Sequence, residues 1–207
     1  MMRTLAALPM AVALVCSAPL AALAAPSSDW PCIQPRIPEL SVATFWGGPQ
    51  IDEGAARAWR DNPEVAHLVV SIVSRRTPLE TAEKMIADFA GTQKQAKDGL
   101  MTLVFAGAFS ELNTLRTQIV HGIERFSRNQ RALSDAINKD RAELSDLTKP
   151  GEKSDQQRAR IQELQTKVQW ETRLHKERES TQRYVCEVPV LLEQRVFSIA
   201  RAVQNEM

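Results

Sequence analysis

Thiol chemistry is the first possibility that the residue types raise. The chain has three cysteines, Cys16, Cys32 and Cys186, and the first lies in a leader argued below to be removed. The remaining two, 154 positions apart, can form one bridge in an oxidising compartment. No CxxC occurs, so a structural bond is expected rather than a catalytic redox pair. Closing so long a loop is worth roughly 5 kcal/mol in the chain-entropy picture, an upper figure because measured gains follow loop length poorly.

Metal chemistry is the second. Glu171, His175 and Glu179 recur every fourth position and so share one helical face, an arrangement by which helical bundles hold metals. Lys176 and Arg178 sit among them, and exposed pairing of charges one turn apart accounts for the same spacing. His67, His121 and His175 are far apart in sequence, and the chain contains no GxSxG, HExxH, glycine-rich phosphate loop or EF-hand loop. A non-catalytic protein without a cofactor is therefore expected, with a metal-binding or small-ligand-binding protein as the alternative.

Contact chemistry is the third. Trp30, Trp46 and Trp59 cluster near the start of the chain, and Trp46-Gly47-Gly48 follows a proline-rich segment. Large aromatics on an irregular strap either anchor a partner or cover a helical body. Trp170, on a charged arm and off its apolar stripe, is a separate contact candidate. Arg125, Arg128 and Arg131 recur every third position, but acids interleave them, as on a solvated face. With 26 Lys plus Arg against 25 Asp plus Glu and 5% aromatics, nothing marks a nucleic-acid binder.

These residues need elements to position them. Residues 1–24 combine Arg3, an apolar stretch from Leu5 to Leu23 and a small-residue end at Ala22-Leu23-Ala24, the pattern of a cleavable secretory signal peptide. Pro9 and Pro19 interrupt the stretch and no stop-transfer segment follows, so no membrane span is expected in the mature chain. Residues 25–61 hold five prolines before position 50 and read as an extended strap with short helices, one after Ser41 and one from about Asp52 to Arg60.

A helical body is expected over 62–111. Asn62-Pro63-Glu64 starts one helix, with Val65, Leu68, Val69, Ile72 and Val73 on its apolar face. Thr77-Pro78-Leu79-Glu80 has the form of a capping box for the next, and Gly91 is its expected stop. Leu100 to Phe109 is apolar all round except at Thr102, as befits a helix covered on every side.

From there two heptad ladders continue without a break. Phe105, Leu112, Ile119, Phe126, Leu133 and Leu147 form one, and Phe109, Ile123, Ile137 and Leu144 the other, with Arg116, Gln130 and Asp140 as polar interruptions. Lys149-Pro150-Gly151 reverses the chain and Ser154 or Asp155 caps the return, so residues 112–188 are expected to form an antiparallel helical hairpin. The return stripe, Ile161, Leu164, Val168, Leu174, Val185 and Val188, is thinner. Residues 121–180 hold 24 charged side chains, 13 basic and 11 acidic, so the hairpin should project as a stalk rather than build a core. Its length would be roughly 53 Å at 1.5 Å per residue.

Counting register from a reversal near position 150 places Cys186 beside Leu112 to Arg116. Pro189 is expected to kink or restart the helix, sending residues 189–207 back to the body.

The expected protein is thus all-α: a small helical body, a coiled-coil-like stalk, and an N-terminal strap tied by Cys32 and Cys186. The expected role is an exported interaction or assembly factor in the bacterial periplasm, docking on another envelope protein or on a second copy of itself through the stalk.

Overall fold

The computed structural model describes residues 29–93 and 97–207. The expected signal peptide, residues 1–24, and the first residues of the strap, 25–28, lie outside the described residues. Among those described there are helices and no strands. After a single 3₁₀ turn at Val42–Thr44 come α1 (Ala55–Ala58), a second 3₁₀ turn (Trp59–Asp61), α2 (Pro63–Val73), α3 (Leu79–Thr92), α4 (Lys97–Leu147) and α5 (Asp155–Asn205). The turn after Ser41 forms without a hydrogen bond from the Ser41 side chain.

The start of α2 follows its sequence signal. Asn62 Oδ1 accepts from the backbone N–H groups of Glu64 (3.1 Å) and Val65 (3.2 Å), with Pro63 at the first helical position. Val65, Leu68, Val69 and Ile72 are buried, the face that the spacing selects.

The other end of α2 overturns an expectation. Thr77 does not close a capping box with Glu80. Its hydroxyl instead donates to the Ser71 carbonyl (2.8 Å), and Pro78 occupies the cap of α3 without a side-chain bond. The last turn of α2 has orphan carbonyls of its own, and Thr77 is close enough to serve them. Arg195 from α5 serves the same place, donating to the Ile72 carbonyl (2.9 Å) and the Thr77 carbonyl (2.6 Å). Arg195 is buried, and desolvation lowers its pKa below the usual guanidinium value. A cation at a helix C-terminus is favoured by the macrodipole, which offsets part of the cost of burying it. Gly91 does not stop α3 either. The helix runs on to Thr92, and among the described residues the glycine with a left-handed φ is Gly151, in the turn at the far tip.

The apolar run at the start of α4 is the centre of the body. Met101, Val104, Phe105, Ala106, Ala108, Phe109 and Leu112 are all buried, packed with α1, α2 and the strap. Gly107 is a close-approach position, since a Cβ there would lie 2.8 Å from Trp59 and 2.9 Å from Val69. A Cβ on Gly122 would meet only the Arg125 guanidinium, at 3.9 Å, so close packing explains the first glycine and not the second.

From the body α4 continues without interruption into the stalk, 51 residues and about 76 Å of helix. Ser154 caps α5 with a full capping box: Gln157 N–H donates to Ser154 Oγ (3.2 Å) and Ser154 N–H to Gln157 Oε1 (2.9 Å). The two helices then pack as the expected antiparallel hairpin. Pro189 neither ends nor restarts α5, which is one helix of 51 residues through that position. An interior proline costs about 3 kcal/mol. Burial of Leu192, Val196, Ile199 and Val203 beyond it stabilises by about 1.5–3 kcal/mol each, which outweighs that cost.

The three polar interruptions of the heptad seam, Arg116, Gln130 and Asp140, are all buried as their ladder positions require. Each finds a partner: Arg116 binds Glu193 (2.7 Å), Gln130 Nε2 donates to the His175 carbonyl (3.3 Å), and Asp140 pairs with Lys167 (2.7 Å). One ladder is displaced. Ile119 and Phe126 are half-buried, while their neighbours Val120 and Ser127 are buried. The cause is the strap, described next.

Candidate interaction surface

The strap runs alongside α4 in the opposite sense. Asp29 pairs with Arg128 (3.2 Å) and Arg131, Arg36 pairs with Glu124, the Ile37 carbonyl accepts from Arg116 Nη1 (2.7 Å), the Pro38 carbonyl from Thr117 Oγ1 (3.2 Å), and Asn113 Oδ1 accepts from the Leu40 N–H (3.0 Å). The α4 members of this series, Asn113, Thr117, Glu124, Arg128 and Arg131, are three or four residues or a double step apart and so share one face. Val120 and Ser127 lie on that same face, which is why they are buried in place of Ile119 and Phe126. Two of the three regularly spaced arginines thus serve the strap.

Cys32 and Cys186 are joined, with their Cα atoms 5.6 Å apart. The register differs from the count made from position 150. Arg116 pairs with Glu193, seven residues past Cys186, so the half-cystine faces α4 about one heptad further from the body, near Ile123. The reversal itself takes the stretch from Thr148 to Ser154.

The strap then turns into the body. Trp46 stacks on Phe105 with ring centroids 4.3 Å apart, and Phe45 and Phe109 extend the cluster at 6.3 Å. At 9% exposure, with its indole N–H donating to the Pro49 carbonyl (2.7 Å), Trp46 is a core residue. Gly47 donates its N–H to Gln204 Oε1 (3.2 Å), and a Cβ on Gly48 would fall 2.4 Å from the Trp46 ring. Of the two placements open to it, Trp46 takes the covering of the helical body, which has few other large aromatics, while Gly47 beside it is exposed and Gly48 half-buried. Trp59 is buried against Gly107, with the Arg60 guanidinium 4.3 Å over its ring.

Trp170 is placed otherwise. It stands 62% exposed on the outer side of α5. Tyr184 (69%) and Leu191 (49%) are exposed on the same helix, 14 and 21 residues further on, which puts all three on one heptad line facing away from α4. In sequence Trp170 stands out by its charged surroundings, whereas only the seven-residue spacing links Tyr184 and Leu191 to it.

The proposed metal ligands do not converge. Glu171 is half-buried beside Lys167 (4.0 Å), while Glu179 is exposed. Among the described residues no three His, Cys, Asp or Glu side chains form a group able to hold a metal ion.

Electrostatics along the stalk are local. Arg160 holds both Glu143 oxygens (2.8 and 3.1 Å), and its hydrogen bond holds the Glu143 carboxyl below the usual range while raising its own pKa. The hydrogen bond from Arg131 likewise lowers Asp29, and that to Asp140 raises Lys167. The shifted groups, Glu143, Arg160, Asp29 and Lys167, are at least partly in solvent, whereas Asp140 is buried.

Among the described residues no helix is long and apolar enough to cross a membrane. Compared with known proteins, the chain matches no family model, no curated protein and no solved structure.

Proposed function

We propose that this is an exported, non-catalytic helical protein that acts as an interaction or assembly factor, presenting the outer face of its stalk to another envelope protein in the periplasm. The observation that carries the reading is Trp170, a large aromatic held 62% exposed on a rod whose seam does not need it. Tyr184 and Leu191 extend the same line over 21 residues, about 31 Å of helix. Aromatic side chains ringed by polar ones are the usual hot spots of protein contacts. The charged flanks supply solubility and orientation rather than affinity.

Replacing Trp170 by a photocrosslinking residue in intact cells, followed by mass spectrometry, tests this. One dominant adduct that disappears when the crosslinker is moved to Arg141, an exposed residue on the other helix of the stalk, is the expected result. A scatter of unrelated adducts, equal at both positions, would overturn it. An adduct consisting of a second copy of the chain would identify self-association as the contact.

A further inference from the structure

The two halves of the strap are held by different physics. From Pro38 to Trp46 the chain is secured by hydrogen bonds to Asn113 and Thr117 and by burial: Leu40, Val42, Phe45 and Trp46 all belong to or pack on the core. From Asp29 to Ile37 it has no such support. Ile33 is fully exposed and Ile37 is 45% exposed; Trp30 and Pro31 are half-buried against the stalk, but no apolar residue of this half belongs to or packs on the core of the body. The ion pairs of this half, Asp29 with Arg128 and Arg131 and Arg36 with Glu124, join side chains that keep 34–50% of their surface in solvent, except Glu124 at 13%. Pairs of that kind are worth about 0–1 kcal/mol each. The buried side-chain oxygen Oε1 of Gln34 lacks a hydrogen-bond partner, which counts against the docked state, although the Gln34 backbone carbonyl accepts from Trp30 Nε1 (2.6 Å). What remains is the hydrogen bond from Arg116 to the Ile37 carbonyl, at the very end of this half, and the covalent bond from Cys32 to Cys186.

The bond is also approachable. Cys32 and Cys186 are half-buried at the floor of an open groove lined by Pro31, Ile33, Gln34, Glu179, Arg183 and Glu187. Ile33, next to the half-cystine and wholly in solvent, is an apolar handle for a protein that must reach that sulfur.

We propose that the Cys32–Cys186 bond is a redox latch. Exchange with a protein dithiol frees residues 29–37 from the stalk while body and hairpin stay folded. A thiolate of the incoming dithiol attacks one sulfur of the bond and forms a mixed disulfide, releasing the other cysteine as a thiolate that takes up a proton. The second thiol of the dithiol, deprotonated, then displaces the remaining cysteine, which is protonated in turn. The dithiol leaves oxidised to its own disulfide, and the two electrons and two protons it gave up are on Cys32 and Cys186. Release uncovers the α4 face that carries Val120 and Ser127 and frees Arg128 and Arg131 from Asp29, so the reduced protein presents a surface that the oxidised one hides. The inference is independent of the contact assigned to Trp170.

Arg36 supplies a direct readout, because trypsin cleaves Arg36–Ile37 only when the strap can leave the stalk and enter the protease cleft. The folded, oxidised chain is reduced with dithiothreitol in native buffer, and thiol titration, far-UV circular dichroism and the rate of that cut are followed. Two titratable thiols, an unchanged helical spectrum and at least tenfold faster cleavage are expected. Cys32→Ser should reproduce the fast cut without reductant. Three results would each overturn the latch: a bond that is reduced only after denaturant is added, loss of helicity on reduction, or a cleavage rate that reduction leaves unchanged. Because the reduced form is made from protein already folded, a folding defect in Cys32→Ser does not blunt the test.

Discussion

The body and the stalk use the same two long helices in opposite ways. In the body, α4 contributes Met101, Val104, Phe105 and Leu112, and α5 contributes Leu192, Val196, Ile199 and Val203, to one continuous apolar core. In the stalk the same helices meet over Ile123, Ile137 and Leu164 interrupted by Arg116, Gln130 and Asp140, and Leu164 is the one fully buried large side chain of α5 before Pro189. Burial of apolar area is strong and non-directional, whereas buried polar groups contribute little net energy but tolerate few alternative partners. The body therefore supplies stability, and the stalk supplies reach and a defined register.

The contrast is sharpest at Phe105. Phe105→Ala removes a fully buried ring that also stacks on Trp46, and should cost about 3–5 kcal/mol in urea unfolding. Loss of below 1 kcal/mol would erase the distinction between the regions. Gly107→Ala should cost about 1–3 kcal/mol in the same assay, because its Cβ must push into Trp59 and Val69. The equivalent change at Gly122 meets only the Arg125 guanidinium at ordinary contact distance, 3.9 Å, and should be neutral or slightly stabilising.

The caps offer a matched pair. Asn62→Ala should lower global stability by about 1 kcal/mol, since α2 packs into the core. Ser154→Ala deletes an equally well-formed cap at the stalk tip, and hydrogen exchange should show fraying confined to the first turns of α5. Equal global losses at the two sites would show that the stalk and the body unfold as one unit.

Acid should separate the regions most gently. Glu143 and Asp29 are held ionised below the ordinary carboxylate range by their arginines. Their contribution is present above the unfolded value of about 4 and is lost as pH falls through the lowered folded values. Hydrogen exchange below about pH 4 should accelerate first around Glu143–Arg160 and in the strap, while α2 and the start of α4 keep their protection.

Much of this contrast was legible before any coordinates. Apolar residues on all sides of Leu100–Phe109 require cover from every side, and a seven-residue ladder with Arg116, Gln130 and Asp140 on it requires those three to be buried. Asn62 and Ser154 act within three residues of themselves, so their caps were readable too. Thr77 and Pro189 are local start and stop signals worth a few kcal/mol at most, and each is overridden: the Thr77 hydroxyl is taken by the Ser71 carbonyl, and burial beyond Pro189 carries α5 through that position without a restart. Gly91 lies one residue short of the end of α3, exposed and with no neighbour within 4 Å of where a Cβ would lie. Trp46 belonged to neither group: an indole next to two glycines suits a partner surface or a core equally, and only the position of Phe105 separates the two.

Helix content, the reversal near Gly151, the polar seam and the availability of one cysteine pair are written in spacing and residue type, because periodicity and capping are short-range physics. The course of the strap along α4, the slide that sets Cys186 near Ile123, the continuity of α5 through Pro189 and the exposed line of Trp170, Tyr184 and Leu191 came from the packed molecule. Those outcomes depend on which surfaces compete for cover once distant segments meet, and no local pattern records that competition.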